Sequence, residues 1–125
     1  MSFAFIILIP SLAAQTEIPD SSYLRQYYSK HEYLIPMRDG IRLFTSVYSP
    51  KDTSKPHPII IIRTPYSCFP YGEDDYKKFQ DAQGSYFMRR GYIMVTQDVR
   101  GRYMSEGDFE DVRPYKPLKK SEQRD

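Results

Sequence analysis

The sequence predicts a mixed α/β fold in which a β-hairpin leads into a strand–helix–strand unit. The hairpin is indicated by Asp39-Gly40, because this dipeptide tolerates the positive φ angles of a tight turn. Four consecutive isoleucines at 59–62 are typical of a strand buried on both faces, as in the middle of a parallel sheet. A helical pattern separates this run from another apolar strand, and such units form right-handed parallel crossovers. When the antiparallel strands of a hairpin join the parallel strands of such a unit in one sheet, the sheet is mixed.

The predicted elements divide the chain into a polar beginning, a sheet-forming middle and a polar end. Residues 15–30 lack a clean period, so we expect a linker there, with one helical turn at 23–28. Residues 41–49 alternate between two faces, which is typical of a hairpin strand, and we expect residues 31–37 to pair with them. Beyond the isoleucine strand we expect a helix at 73–90, a strand at 92–97, a loop at 98–111 and no defined structure after it.

The helix at 73–90 is predicted from spacing and charge. Phe79, Ala82 and Tyr86 recur at helical intervals. Acidic residues begin the segment and basic residues end it, which suits the helix dipole. Gly84 allows a break into two helices, and we expect Gly91 to end the element.

Composition and charge indicate an ordinary globular protein. Of the 125 residues, 40% are hydrophobic and 27% are charged. The 18 basic and 16 acidic side chains are too evenly balanced to suggest a nucleic-acid partner. The 12 tyrosines and 10 prolines favour a loop-rich site for a small molecule. The single cysteine excludes an internal disulfide within this sequence, and the oligomeric state stays open.

The first residues predict a signal peptide at 1–14, and therefore export to the periplasm or the medium. An apolar run at 3–8 ends before Pro10, and small residues suited to signal peptidase follow at 11–13. A basic region does not precede the run, so a disordered apolar start and a different true start stay open. The run is far shorter than the ~20 residues that cross a bilayer, so we expect no membrane anchor.

Residues that often serve as nucleophile or base are poorly placed in this chain. Ser105 would need a glycine two positions before it to form the nucleophile elbow G-x-S-x-G, but Tyr103 stands there. We therefore expect Ser105 to belong to a loop. His31 and His57 precede strands rather than follow them, which argues against a catalytic base. Cys68 has no basic partner in the sequence pattern that would activate its thiol.

The acidic clusters at 73–75 and 106–111 lack the ligand spacing of a calcium loop. We interpret them as helix capping and as solvated loop faces. The glycines lack the spacing of a phosphate-binding or dinucleotide-binding loop. We therefore expect neither a metal nor a cofactor.

Tyr66 is the remaining candidate for a functional group. It follows Pro65 just past the isoleucine strand, at the carboxyl end where open α/β sheets bind their ligands. Its ring could cover the end of the sheet, a common role in a tyrosine-rich chain. Alternatively, its phenol could donate a hydrogen bond to the oxyanion of a tetrahedral intermediate. The position alone leaves both interpretations open.

Three segments together resemble the cocaine-esterase-like hydrolases, and among them the α-amino-acid ester hydrolases and the glutaryl (cephalosporin) acylases. The segments are Ile-Pro-Met-Arg-Asp-Gly-Ile-Arg-Leu at 35–43, Arg-Thr-Pro-Tyr at 63–66 and Gly-Tyr-Ile-Met-Val-Thr-Gln-Asp-Val-Arg-Gly-Arg-Tyr-Met-Ser-Glu-Gly-Asp at 91–108. They occur in the family's order and spacing and cover residues 33 to 115. Many members have glycine where this chain has Met104, a difference confined to a loop.

The resemblance implies a serine hydrolase with an α/β-hydrolase core and additional helical-cap and jelly-roll regions. Residues 31–125 would be the incomplete amino-terminal part of that core, an X-Pro dipeptidyl-peptidase-like domain. Tyr66 would be the side-chain oxyanion donor, and the catalytic serine, acid and histidine would lie beyond Asp125. The substrate would be a small acyl ester or amide, and the chain alone would be inactive.

Two alternatives remain at this point. One is an X-prolyl dipeptidyl peptidase, which shares the fold and the hydrolytic chemistry. The other is a non-catalytic binding module whose contact surface is the aromatic loop at 66–71.

The strand order of the α/β-hydrolase fold places the isoleucine strand at the edge of the four strands in this chain. An apolar strand at an open edge promotes aggregation, so we expect the chain expressed alone to be insoluble or molten.

Overall fold

A computed structural model of the chain describes residues 21–79 and 82–111. The predicted signal peptide at 1–14 lies outside these residues. None of the helices among them is long and apolar enough to cross a membrane. The elements, in chain order, are α1 (Ser21–Tyr27), β1 (Tyr28–Pro36), β2 (Arg42–Pro50), β3 (Ile59–Thr64), α2 (Ala82–Arg89) and β4 (Ile93–Asp98).

The four strands form one mixed sheet in the order β1-β2-β4-β3. Strand β2 pairs antiparallel with both β1 and β4. Strands β3 and β4 pair in parallel, so that Thr64 lies beside Asp98 at their carboxyl ends. The predicted hairpin, the parallel pair and the mixed sheet are therefore confirmed.

The turn between β1 and β2 has the geometry that its Asp-Gly dipeptide predicts. The amide of Gly40 donates to the carbonyl of Met37 at 2.9 Å, and the amide of Met37 donates to the carbonyl of Ile41 at 2.8 Å. Gly40 has φ +85°, a conformation that glycine adopts without steric cost. Oδ1 of Asp39 accepts the amide of Ile41 at 3.2 Å and completes the turn.

The isoleucine strand β3 lies at the edge of the sheet. This confirms the predicted order, but within the described residues the strand is not buried on both faces. Ile59, Ile61 and Ile62 are 65%, 56% and 45% exposed, whereas Ile60 packs against the core. The central positions belong to β2 and β4, whose residues Leu43, Phe44, Met94 and Asp98 are buried.

The core lies on the face of the sheet that both helices cover. Its fully buried members are Leu24, Tyr28, Tyr48, Phe79, Met88 and Met94. The rings of Tyr48 and Phe79 meet edge to face with centroids 5.2 Å apart, a favourable arrangement for aromatic quadrupoles. The hydroxyl of Tyr28 lies 2.6 Å from the carbonyl of Met88, so this buried polar group is satisfied.

The predicted helix at 73–90 is wrong in its first half, because α2 begins only at Ala82. Backbone groups that a helix would use internally bind elsewhere at 75–77. The carbonyl of Asp75 accepts the Lys30 ammonium at 2.8 Å, and the amide of Lys77 donates to the Tyr48 hydroxyl at 3.2 Å. These long-range contacts outweigh local propensity.

The predicted end of the helix at Gly91 is confirmed. Gly91 has φ +75°, and its amide donates to the carbonyl of Met88 at 3.0 Å. The amide of Tyr92 donates to the carbonyl of Phe87 at 3.1 Å. This pair of bonds is a Schellman motif, which needs a left-handed residue at this position. Gly84 lies inside α2 without breaking it.

Over residues 21–30 the predicted helical turn is confirmed by α1, but the predicted linker is wrong. These residues form α1 and the start of β1, which begins at Tyr28 rather than at residue 31. The reason is burial: Leu24, Tyr28 and Lys30 are all less than 4% exposed. The ammonium of Lys30 contacts the carbonyls of Pro70, Gly72 and Asp75 at 2.7, 2.7 and 2.8 Å and Oε1 of Glu32 at 2.8 Å.

The exposed edge of β3 should limit the solubility of the 125-residue chain when it is expressed by itself. Ile61→Lys should raise its soluble fraction severalfold, because a charge on an open edge opposes strand-to-strand association. The matched control is Ile60→Lys, whose ammonium would enter the core and destabilise the fold by about 2–3 kcal/mol. The measurement is the partition between supernatant and pellet. Equal solubility of the Ile61→Lys variant and the wild type would contradict edge association.

Candidate active site

The carboxyl ends of β3 and β4 lie side by side, and the chain leaves both through loops. Residues 65–72 follow β3, and residues 99–111 follow β4. Tyr66 and Cys68 lie on the first loop and Ser105 lies on the second. The structure thus brings these three sequence candidates to one end of the sheet, where parallel sheets bind ligands.

Tyr66 extends into solvent from a backbone that is tied on its amino-terminal side. Its ring is 82% exposed. Its amide donates to Oγ1 of Thr64 at 3.0 Å, and Nε of Arg102 donates to the preceding carbonyl of Pro65 at 3.3 Å. The amide of Val99 reaches the carbonyl of Thr64 at 3.2 Å. A fixed backbone and a free phenol are what a hydrogen-bond donor for an incoming substrate requires.

Asp98 is the fully buried last residue of β4 and connects the two loops. Its Oδ1 accepts the amide of Cys68 at 2.8 Å, and its Oδ2 accepts the hydroxyl of Tyr71 at 3.0 Å and the amide of Met104 at 3.4 Å. The prediction treated Asp98 only as the start of a loop. A carboxylate at the end of an apolar strand was the available signal, since such a group needs partners when buried.

Cys68 is not a nucleophile in this environment. It is fully buried, and burial together with a hydrogen bond to Asp98 raises the pKa of its thiol to about 12. Because the thiolate is the reactive form, the side chain is inert at neutral pH. This agrees with the sequence argument that nothing activates the Cys68 thiol.

Ser105 is a structural loop residue, as expected. Its Oγ accepts the amide of Phe44 at 2.8 Å and donates to the carbonyl of Asp98 at 2.7 Å. The hydroxyl proton is therefore already committed to a buried hydrogen bond. Ser105 joins the loop after β4 to the central strand β2.

The two histidines lie away from this end of the sheet. Nδ1 of His57 is 2.6 Å from the carbonyl of Gly91 and Nε2 is 2.7 Å from that of Asp52, at the amino ends of β3 and β4. His31 lies on β1, with Nδ1 3.5 Å from a carboxylate oxygen of Glu73. Neither reaches Tyr66, which agrees with their exclusion as bases.

The predictions for the two acidic clusters are confirmed only in part. Helix capping at 73–75 is wrong, because α2 begins later; Glu73 instead accepts the amide of Glu32 at 3.3 Å. In the second cluster, Asp108, Glu110 and Asp111 are exposed on the loop, as predicted. Glu106 is only partly exposed and forms an ion pair: it accepts the backbone amide of Arg42 at 3.0 Å and its Nε at 2.9 Å. No group of three or more potential metal ligands occurs among residues 21–79 and 82–111.

A second ion pair joins the hairpin turn to the loop after β4. NH1 of Arg100 is 2.9 Å from Oδ2 of Asp39, and the Arg100 side chain is only 6% exposed. The hydrogen bond from Arg100 holds the pKa of the Asp39 carboxyl below its usual value. Gly101 follows with φ +68°, and a Cβ there would lie 2.0 Å from the backbone nitrogen of Phe109. The loop therefore folds back on itself at a position where only glycine fits.

Residues 39–125 match the family described as X-Pro dipeptidyl-peptidase (S15 family). Cocaine esterase of Rhodococcus sp. (strain MB1 Bresler) is 40% identical over 77 residues, which are 61% of this chain and 12% of that protein.

Two solved structures share the fold. An α-amino acid ester hydrolase matches with a TM-score of 0.57 and 37% identity, covering 82% of this chain and 17% of the other. An aminopeptidase from marine sediment archaeon Thaumarchaeota archaeon matches with a TM-score of 0.56 and 29% identity, covering 86% and 17%. The predicted family resemblance and fold class are confirmed, and the chain spans less than a fifth of each of these relatives.

The ion pair between Asp39 and Arg100 should make the stability of the fold depend on pH. The pKa of Asp39 is lower in the folded than in the unfolded state, so its stabilising effect is present above the ordinary value of 3.8 and is lost as pH falls through the folded value. Asp39→Asn should therefore lower the Tm of the protein at neutral pH, and the difference from wild type should shrink at about pH 3.

The control for this experiment is Asp74→Asn, which removes an exposed carboxylate from the turn at 73–74. Its Tm difference from wild type should not follow the same pH course. A constant Tm deficit of Asp39→Asn at all pH values would show that the ion pair is not the cause.

Proposed function

The chain belongs to the X-Pro dipeptidyl-peptidase (S15) family of hydrolases, and from this premise we propose that it is the amino-terminal part of a serine hydrolase that cleaves an acyl ester or amide bond. The single observation that carries the proposal is the placement of Tyr66. Its phenol is exposed directly beyond the carboxyl end of β3, on a backbone fixed by Thr64 and Arg102.

The role proposed for Tyr66 is donation to the oxyanion of the tetrahedral intermediate. Attack of a serine on the substrate carbonyl moves negative charge to the carbonyl oxygen, and a donor aimed at that charge lowers the barrier by roughly 3 kcal/mol. In this proposal the serine, its acid and its histidine are supplied by the part of the enzyme after residue 125. The 125-residue chain alone would then be inactive.

An amino-acid ester or a related acyl compound is the favoured substrate class. This preference is supported by the 40% identity to a cocaine esterase and the 37% identity to an α-amino acid ester hydrolase. A peptidase that releases X-Pro dipeptides is the second candidate. It is supported by the description of the matching family and by the likeness to an aminopeptidase.

Tyr66→Phe in the full-length hydrolase tests the role of the phenol. Loss of one donor to the oxyanion should lower kcat by roughly a hundredfold, with a smaller change in KM, because the bond forms only in the transition state. Initial rates on an α-amino-acid ester and on an X-Pro dipeptide anilide give both constants and distinguish the two substrate classes.

The matched control is Tyr33→Phe, which removes the hydroxyl of another exposed tyrosine, on β1. It should leave kcat and KM within about twofold of wild type. If Tyr66→Phe behaves like Tyr33→Phe, or changes KM and kcat alike, the ring only packs and the proposed role is wrong.

A further inference from the structure

The residue after Tyr66 has a backbone conformation that is costly for any side chain other than that of glycine. Ser67 has φ +83°, in the left-handed region. Such strain persists only where the surrounding structure enforces it. Because the ring of Tyr66 is exposed, packing does not fix it, and the backbone on each side sets the direction in which its Cα–Cβ bond leaves the loop. Thr64 and Arg102 fix the amino-terminal side, so Ser67 controls the other.

A chain of hydroxyl groups holds Ser67 in this conformation. The amide of Phe69 donates to Oγ of Ser67 at 3.0 Å, and this Oγ is 2.8 Å from the hydroxyl oxygen of Tyr71. The Tyr71 hydroxyl donates to Oδ2 of Asp98 at 3.0 Å. Since Tyr71 gives its only proton to Asp98, Ser67 must be the donor to Tyr71. We call the side chains of Ser67, Tyr71 and Asp98 the hydroxyl relay.

The distant end of the hydroxyl relay is rigid. Asp98 is fully buried, and its other oxygen is engaged by the amide of Cys68. The ring of Tyr71 packs edge to face against Phe44, with centroids 5.1 Å apart. Burial, reinforced by the hydrogen bond to Asp98, raises the pKa of Tyr71 to about 12, so this phenol keeps its proton at physiological pH. Bonds that point the same way along such a chain strengthen one another.

We propose that Tyr71 is a positioning residue for Tyr66: it enforces the left-handed conformation of Ser67 and thereby aims the Tyr66 phenol. Tyr71 itself does not touch the substrate in this proposal. The inference depends on the proposed oxyanion role of Tyr66. Its physical content is that the partly buried Tyr71 hydroxyl, which is connected to the sheet through Asp98, sets the direction of the exposed Tyr66 hydroxyl.

The test uses four variants of the full-length hydrolase. Tyr71→Phe keeps the ring and removes the hydroxyl, and misplacing Tyr66 should lower kcat roughly tenfold with less effect on KM. Ser67→Ala and Ser67→Gly both lose the serine hydroxyl, but only glycine adopts φ +83° without strain. We expect Ser67→Gly to retain several-fold more activity than Ser67→Ala, and to restore most of the kcat lost in Tyr71→Phe when the two changes are combined.

The Tm separates positioning from simple destabilisation. Tyr71→Phe removes a partner of the buried Asp98 carboxylate, so its Tm should fall and Ser67→Gly should not restore it. Recovery of kcat without recovery of Tm is the expected signature. If Ser67→Gly is as damaging as Ser67→Ala, or if kcat returns only together with Tm, the inference is overturned.

A double-variant comparison separates this inference from the function on which it depends. In a Tyr66→Phe background, Tyr71→Phe should cause little further loss, because the group that it positions is gone. Full additivity would overturn the positioning role and leave the oxyanion role intact. An unaffected kcat in Tyr66→Phe alone would overturn the oxyanion role itself.

Discussion

A carboxylate in a protein interior is costly unless its oxygens accept hydrogen bonds. Asp98 meets this requirement with donors from both loops at the carboxyl end of the sheet: the amide of Cys68, the hydroxyl of Tyr71 and the amide of Met104. Its backbone carbonyl accepts the hydroxyl of Ser105. Each donor would lose its partner if the loops moved apart, so the cost of burial becomes a constraint on loop geometry. Tyr66 lies on one of these two loops, so its backbone position depends on the hydrogen bonds of Asp98.

The ion pairs around Asp98 extend the same principle to the hairpin. Arg100 binds Asp39 in the β1–β2 turn, and Glu106 binds Arg42 at the start of β2. The first and third of the segments that carry the family resemblance are thus joined by ion pairs, and the second is bound to the third by the hydrogen bond from Arg102 to Pro65. Charged side chains in the first and third segments therefore hold the hairpin against the loop after β4.

Much of the fold could be predicted because its signals are local. Asp39-Gly40 and Gly91 required positive φ angles, and both turns formed where expected. The helix predicted at 73–79 is wrong because the backbone there binds Lys30 instead. Lys30 lies more than 40 residues earlier, and the periodicity of a segment does not reveal so distant a partner. For the site, the position of Tyr66 followed from the end of a strand. The hydroxyl relay could not be predicted, since its partners meet only after β3 and β4 pair.

Lys30 has a consequence for chemical labelling. Its side chain is 0% exposed, and its ammonium is surrounded by three carbonyls and a carboxylate. An amine-reactive reagent has no path to this nitrogen while residues 70–75 stay in place, whereas lysines on the surface react freely. Acylation at Lys30 would show that residues 70–75 have moved away from it. The rate of acylation at Lys30 would therefore measure local unfolding of residues 70–75.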